Sequence, residues 1–191
     1  MNKLTIVCVI ASGLALTLVG CVSPQKYNES QQHKNAELEQ EYQQLIQQIN
    51  QTEVDARNMQ ITRMQHAIRV SINSELLFPS GSYDMSESAE HTIAKFASIL
   101  APHQQTKITV VGYTDSAPIG PGLIESGITS NLILSQRRAD TVMQYMISQG
   151  VKPDLIAAQG FGESKPVASN NTPKGRAKNR RVELNLANAG E

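Results

Sequence analysis

Cysteine, tryptophan and charge of one sign are all scarce in this chain. Its 191 residues hold two cysteines, no tryptophan and 4% aromatics. Two cysteines exclude a disulfide framework, and with no CxxC pair or Cys/His cluster a structural zinc site is excluded too. His33, His66, His91 and His103 are scattered without metal-ligand spacing, so neither a metal nor a cofactor is expected. The 17 basic residues balance 17 acidic ones, which argues against a nucleic-acid binder working through bulk positive charge. No GxSxG or SxxK motif surrounds a serine, and Ser80 and Ser82 sit in a turn-rich stretch, so no enzyme is expected.

Long apolar runs are lacking as well, apart from Leu4 to Val19 behind Lys3. That build is a secretory signal, too short for a membrane span. It closes on Leu18, Val19, Gly20 and Cys21, which resembles the lipobox of bacterial lipoproteins. The resemblance implies removal of residues 1–20, lipid attached to Cys21 and a lipidated linker over 21–28. Acyl chains, at about 0.8 kcal/mol per buried CH₂, then hold the protein to a bilayer. Residue 22 is Val, not the Asp that signals inner-membrane retention in such lipoproteins, so the periplasmic face of the outer membrane is expected.

Glycine and proline are absent from Glu29 to Arg63, a stretch rich in Gln and Glu that predicts a helical spacer over 29–65. Leu38, Tyr42, Leu45, Ile49, Thr52, Ala56 and Met59 recur at alternating intervals of four and three, a coiled-coil seam weakened by Thr52 and Ala56. A single amphipathic helix and a weak homo-oligomeric coil both fit. Either reaches roughly 50 Å at 1.5 Å per residue.

From residue 67 to 187 the pattern is that of a folded domain, followed by a short tail, 188–191. Ile68, Val70 and Ile72 alternate with polar residues as in a half-buried strand. Asp84 and Glu87 form a capping-box-like start to a helix whose apolar face is Ile93, Phe96, Ala97 and Leu100. Lys107 to Tyr113 predicts a second strand. A helix follows from Asn131, as cap, to Gln149, with Gly150 as its stop. Leu155 to Phe161 and Arg181 to Ala187 predict two more strands. The order β-α-β-α-β-β indicates an α/β (α+β) sandwich with the helices on one face of a mixed sheet.

On the second helix, Leu134, Arg138 and Val142 share a face, which aims Arg138 at the end of the preceding strand, where Thr114 and Asp115 lie. A carboxylate and a guanidinium converging there fit a zwitterion, Asp115 taking an ammonium and Arg138 a carboxylate. They equally fit a plain Asp115 to Arg138 salt bridge that staples loop to helix. Asn131 and Ser135 offer neutral hydrogen bonds on the same side.

Gly112-Tyr113-Thr114-Asp115, Asn131 through Leu134-Ser135-Gln136-Arg137-Arg138-Ala139, Gly160-Phe161-Gly162-Glu163 with Pro166, and Asn170 through Asn179-Arg180-Arg181-Val182-Glu183 resemble the successive motifs of the OmpA C-terminal domain family. The resemblance implies non-covalent binding of peptidoglycan through the meso-diaminopimelate of the stem peptide. It assigns the Asp of the TD motif and the Arg before Ala in LSxxRA, here Asp115 and Arg138, to the diaminopimelate side-chain centre. Thr114 and Asn131 carry over as further contacts or as turn-shaping and capping residues. The Gly175-Arg176 and Asn179-Arg180-Arg181 elements are assigned to the fold, so the basic run from Lys174 to Arg181 is not expected to bind nucleic acid. The loop after Asp115 is long and its Asp115-Ser-Ala-Pro-Ile119 start resembles flagellar stator relatives. A stator itself needs a transmembrane helix carrying a proton-bearing acid, which the apolar segment lacks. The sequence therefore predicts a lipoprotein tethering the outer membrane to the wall. The alternative is a regulatory or assembly protein that binds a periplasmic partner through the spacer and the 116–130 loop.

Overall fold

The computed structural model describes residues 59–63, 67–102 and 106–188, with scattered helical positions between 29 and 47. Cys21 and the seam residues Leu38, Tyr42, Leu45, Ile49, Thr52 and Ala56 lie outside the described residues.

The strands are β1 (Met59–Arg63), β2 (Ala67–Asn73), β3 (Thr106–Tyr113), β4 (Ile156–Gly160) and β5 (Arg181–Asn188). They form one mixed sheet in the order β1-β2-β5-β3-β4. In β2 the expected alternation holds, with Ile68, Val70 and Ile72 fully buried opposite Leu186, Leu184 and Val182 of antiparallel β5. Strand β3 pairs antiparallel with β5 and parallel with β4.

The helices are α1 (Ser74–Leu77), α2 (Glu87–Leu100), α3 (Pro121–Glu125), α4 (Asn131–Ser148) and α5 (Pro173–Asn179). Helix α2 presents Ile93, Phe96, Ala97 and Leu100, and α4 presents Ala139, Val142 and Met146, to one core on the β2/β5 face. Burying each large aliphatic side chain contributes about 1.5 to 3 kcal/mol, and this core fixes both long helices on the same side of the sheet. Short α5 borders the opposite face, where it shares a groove with β2 and β5.

The sheet begins at Met59 rather than at 67. Met59 to Arg63, read from the sequence as the last turns of the spacer helix, is an edge strand paired with β2, and Ile61 packs against the core opposite Val70. Two caps also differ. Ser130 rather than Asn131 caps α4, its Oγ accepting the Ile133 N–H at 3.2 Å. Ser86, accepting from the Ala89 N–H at 3.2 Å, starts α2 in place of the box expected at Asp84 and Glu87. Gly150, at φ +101°, ends α4 as expected. The long loop after Asp115 contains α3 and has its own small core of Leu123, Ile128 and Leu134, with Tyr83 and Ile119 packed on it.

Candidate functional site

Parallel pairing brings the C-terminal ends of β3 and β4 side by side, and α4 crosses directly over them. Two glycines permit that approach: a Cβ on Gly112 would lie 2.1 Å from the Ser135 carbonyl oxygen, and one on Gly160 would lie 2.4 Å from the Gln136 nitrogen. Side chains then fasten the helix. Ser135 Oγ accepts the Gly162 N–H at 2.8 Å and donates to the Leu132 carbonyl at 2.9 Å. Gln136 Oε1 accepts the Gly160 N–H at 2.7 Å. The result sets Arg138 within the electrostatic field of Asp115 at the end of β3.

Thr114, Asp115 and Arg138 are all buried, with 4%, 6% and 7% exposure. The direct Asp115 to Arg138 staple weighed from the sequence does not form. Asp115 Oδ2 instead accepts from Arg180 Nη1 at 2.5 Å, and Oδ1 accepts the Ala117 N–H at 3.1 Å. Arg180 reaches on to the exposed carboxylate of Glu75. Burial disfavours the charged form of Arg180, but its hydrogen bonds to Asp115 and Glu75 outweigh that and raise its pKa.

Arg138 is held differently. Its Nε and Nη2 both donate to the Ser82 carbonyl, at 3.0 and 2.8 Å, and its guanidinium lies 5.1 Å from the centre of the Phe78 ring. Among the described residues no carboxylate comes within 4.0 Å of it. Burial first, then repulsion from Arg180, lowers its pKa to about 10, with Asp115 opposing. Arg138 thus stays protonated at neutral pH, buried, with its charge matched at a distance but not by contact. A carboxylate offers about four lone-pair sites, so Asp115 retains capacity for an added donor. Thr114 Oγ1 is buried and has no hydrogen-bond partner among the described residues, while its N–H donates to the Gly162 carbonyl at 2.9 Å.

Asn131, half-buried, is not brought to the same point. Its Nδ2 donates to the Ala117 carbonyl at 2.9 Å and to Glu163 Oε2 at 3.1 Å, tying the Asp115 loop to the turn after β4. Sequence reasoning missed Arg180 and Glu75 as partners of the Asp115 corner and Ser82 as the anchor of Arg138. The basic run from Lys174 was visible, but its members divide. Arg176 donates to the Asn170 carbonyl at 3.0 Å, Arg180 faces Asp115, and Arg181 turns to Glu183 on the other side of the sheet.

The family model described as "OmpA family" matches residues 77–180. A protein of Escherichia coli named "Probable lipoprotein YiaD" is 36% identical over 127 residues, covering 66% of this chain and 54% of that protein. "Peptidoglycan-binding protein ArfA" of Mycobacterium tuberculosis is 35% identical over 121 residues, 63% of this chain and 35% of its own. The chain therefore spans about half, or less, of the length of these relatives. Among solved structures, the cell wall anchor of the T6SS from Pseudomonas aeruginosa is 26% identical with a TM-score of 0.64, covering 71% of this chain and 92% of that one. A MotB-like protein of Desulfovibrio vulgaris, 24% identical, shares the fold with a TM-score of 0.75 over 84% of this chain and 97% of its own. The family match covers more than half of the chain, and a five-stranded mixed sheet under two long helices accompanies it; the chain belongs to the OmpA family.

Proposed function

We propose that the domain binds peptidoglycan non-covalently through meso-diaminopimelate, with Asp115 and Arg138 as the principal ligands and Thr114 and Asn131 bordering them. The observation that carries this reading is Arg138: a buried cation with no contacting carboxylate, set in the field of an acid that still has acceptor capacity. Diaminopimelate ends in an ammonium and a carboxylate on one carbon. Its carboxylate gives Arg138 the counter-charge it lacks, and its ammonium adds a donor to Asp115. The 116–130 loop starts beside Asp115, and Asn131 ties its Ala117 carbonyl to Glu163. A relative named for peptidoglycan binding and a structural neighbour described as a cell wall anchor support the reading.

With lipid on Cys21 and a helical spacer, the protein would tether the outer membrane, from its periplasmic face, to the wall. The test is co-sedimentation of the full chain, in detergent, with diaminopimelate-containing sacculi. Asp115→Asn is expected to weaken binding by roughly 30-fold, about 2 kcal/mol, because the ammonium loses its counter-charge. Undiminished sedimentation of a folded Asp115→Asn protein would refute the assignment.

A further inference from the structure

The outer face of the sheet carries a groove of about 550 Å³ that diaminopimelate binding leaves unused. Its floor comes from alternate strand positions, among them Thr62 of β1, Arg69 of β2 and Glu183 of β5. One wall is α5, where Lys174, Ala177 and Lys178 fall at i, i+3 and i+4 and so share a helix face.

Four cations line this groove against one carboxylate, and that carboxylate is already engaged. Glu183 Oε1 accepts from Arg181 Nε at 2.8 Å, and its Oε2 lies 3.4 Å from Arg69 Nε. Arg181 is a built-in feature: it is 6% exposed, with its guanidinium 3.7 Å from the centre of the Tyr113 ring. Lys174 and Lys178 are exposed and, among the described residues, have no acid within 4.0 Å. Three positive charges therefore remain unmatched in a concave site within a nearly neutral domain, and the field focused there favours an anion.

We infer that the groove is a second wall contact, taking the free carboxylates of another stem peptide; this rests on the reading of the domain as a peptidoglycan binder. The uncharged lining favours a peptide. Gln60, Ser71 and Asn73 offer amide and hydroxyl partners for peptide groups, and Val167, 61% exposed, supplies an apolar rim for an alanine methyl. A flat bilayer surface does not enter a concave floor of this kind. Peptidoglycan presents stem peptides repeatedly, so a weak second site raises the affinity of the first through effective concentration.

The experiment compares the full chain, in detergent, with K174Q/K178Q and K174R/K178R in sacculus sedimentation across a sodium chloride series, with Asp115→Asn as a separate arm. The glutamine variant is expected to bind about fivefold more weakly at low salt and to show a flatter salt dependence, because exposed charges are screened within a Debye length. The arginine variant should bind like the wild type. Unchanged affinity and salt dependence in K174Q/K178Q would overturn the inference. So would lysine-dependent binding to phosphatidylglycerol vesicles with sacculus binding unaltered. Loss of the Asp115→Asn effect alone would instead sink the diaminopimelate assignment and leave the groove's contribution standing.

Discussion

Gly112→Ala is expected to lower the domain's stability by about 3 kcal/mol, and its midpoint of thermal unfolding by roughly 10 °C, followed by circular dichroism. The added methyl would lie 2.1 Å from the Ser135 carbonyl oxygen, an atom held in the first turns of α4, so strand and helix must separate. Ser135 also anchors the turn at Gly162 and lies one turn before Arg138, so the same displacement moves Arg138 away from Asp115. Wall binding should fall together with stability. Gly122→Ala is the matching control. Its Cβ meets nothing within 4 Å, so that substitution should change stability by less than about 0.5 kcal/mol. An equal loss at both positions would show that the close approach at Gly112 is not what limits the fold.

Arg138→Met is expected to separate stability from function. Removing the guanidinium forfeits two hydrogen bonds to the Ser82 carbonyl but also removes a buried charge that no carboxylate contacts. The two effects nearly offset, leaving the fold within about 1 kcal/mol of wild type, while sacculus affinity drops at least about 30-fold. The pH dependence has a definite sign. With its folded pKa lowered to about 10, Arg138 holds its proton more weakly in the folded chain than in the unfolded one. The destabilisation is therefore fully present below pH 10 and is relieved above it, where the unfolded state binds more protons. Urea unfolding at pH 8 and pH 10.5 should show wild type gaining on Arg138→Met at the higher pH. A Met variant that is strongly destabilised at pH 8 would mean that Arg138 serves the fold.

Local periodicity made most of the sheet legible. Ile68, Val70 and Ile72, and likewise Val182, Leu184 and Leu186, alternate cleanly because each strand has one face on the core and one face outside. The helix positions Ile93, Phe96 and Leu100 were readable for the corresponding reason at a period of 3.6. Strand β1 was hidden because Met59, Gln60 and Arg63 suit a helix, and only pairing with β2, a tertiary event, selects the extended form. The cap at Ser130 lost out to Asn131 in the sequence because both residue types cap well; backbone geometry decides between them.

Helix spacing aimed Arg138 at the strand end that carries Thr114 and Asp115, and the fold sets Arg138 in the field of Asp115. What spacing does not encode is the third partner. Arg180 approaches Asp115 from β5's leading edge, 65 residues further along the chain, and occupies the carboxylate that a simple pairing would have given to Arg138. That contact explains why Arg138 is left with a backbone carbonyl and an aromatic ring for company. The same long-range packing splits the basic run, sending Arg180 to one side of the sheet and Arg181 to the other.

Ligand recognition by Arg138 is tested most directly by titration calorimetry of the full chain with a stem peptide containing meso-diaminopimelate and with the same peptide containing lysine. Lysine removes only the carboxylate that would pair with Arg138. Binding of the diaminopimelate peptide with at least about 30-fold weaker binding of the lysine peptide, about 2 kcal/mol, is the predicted result. Equal affinity for the two peptides would contradict it.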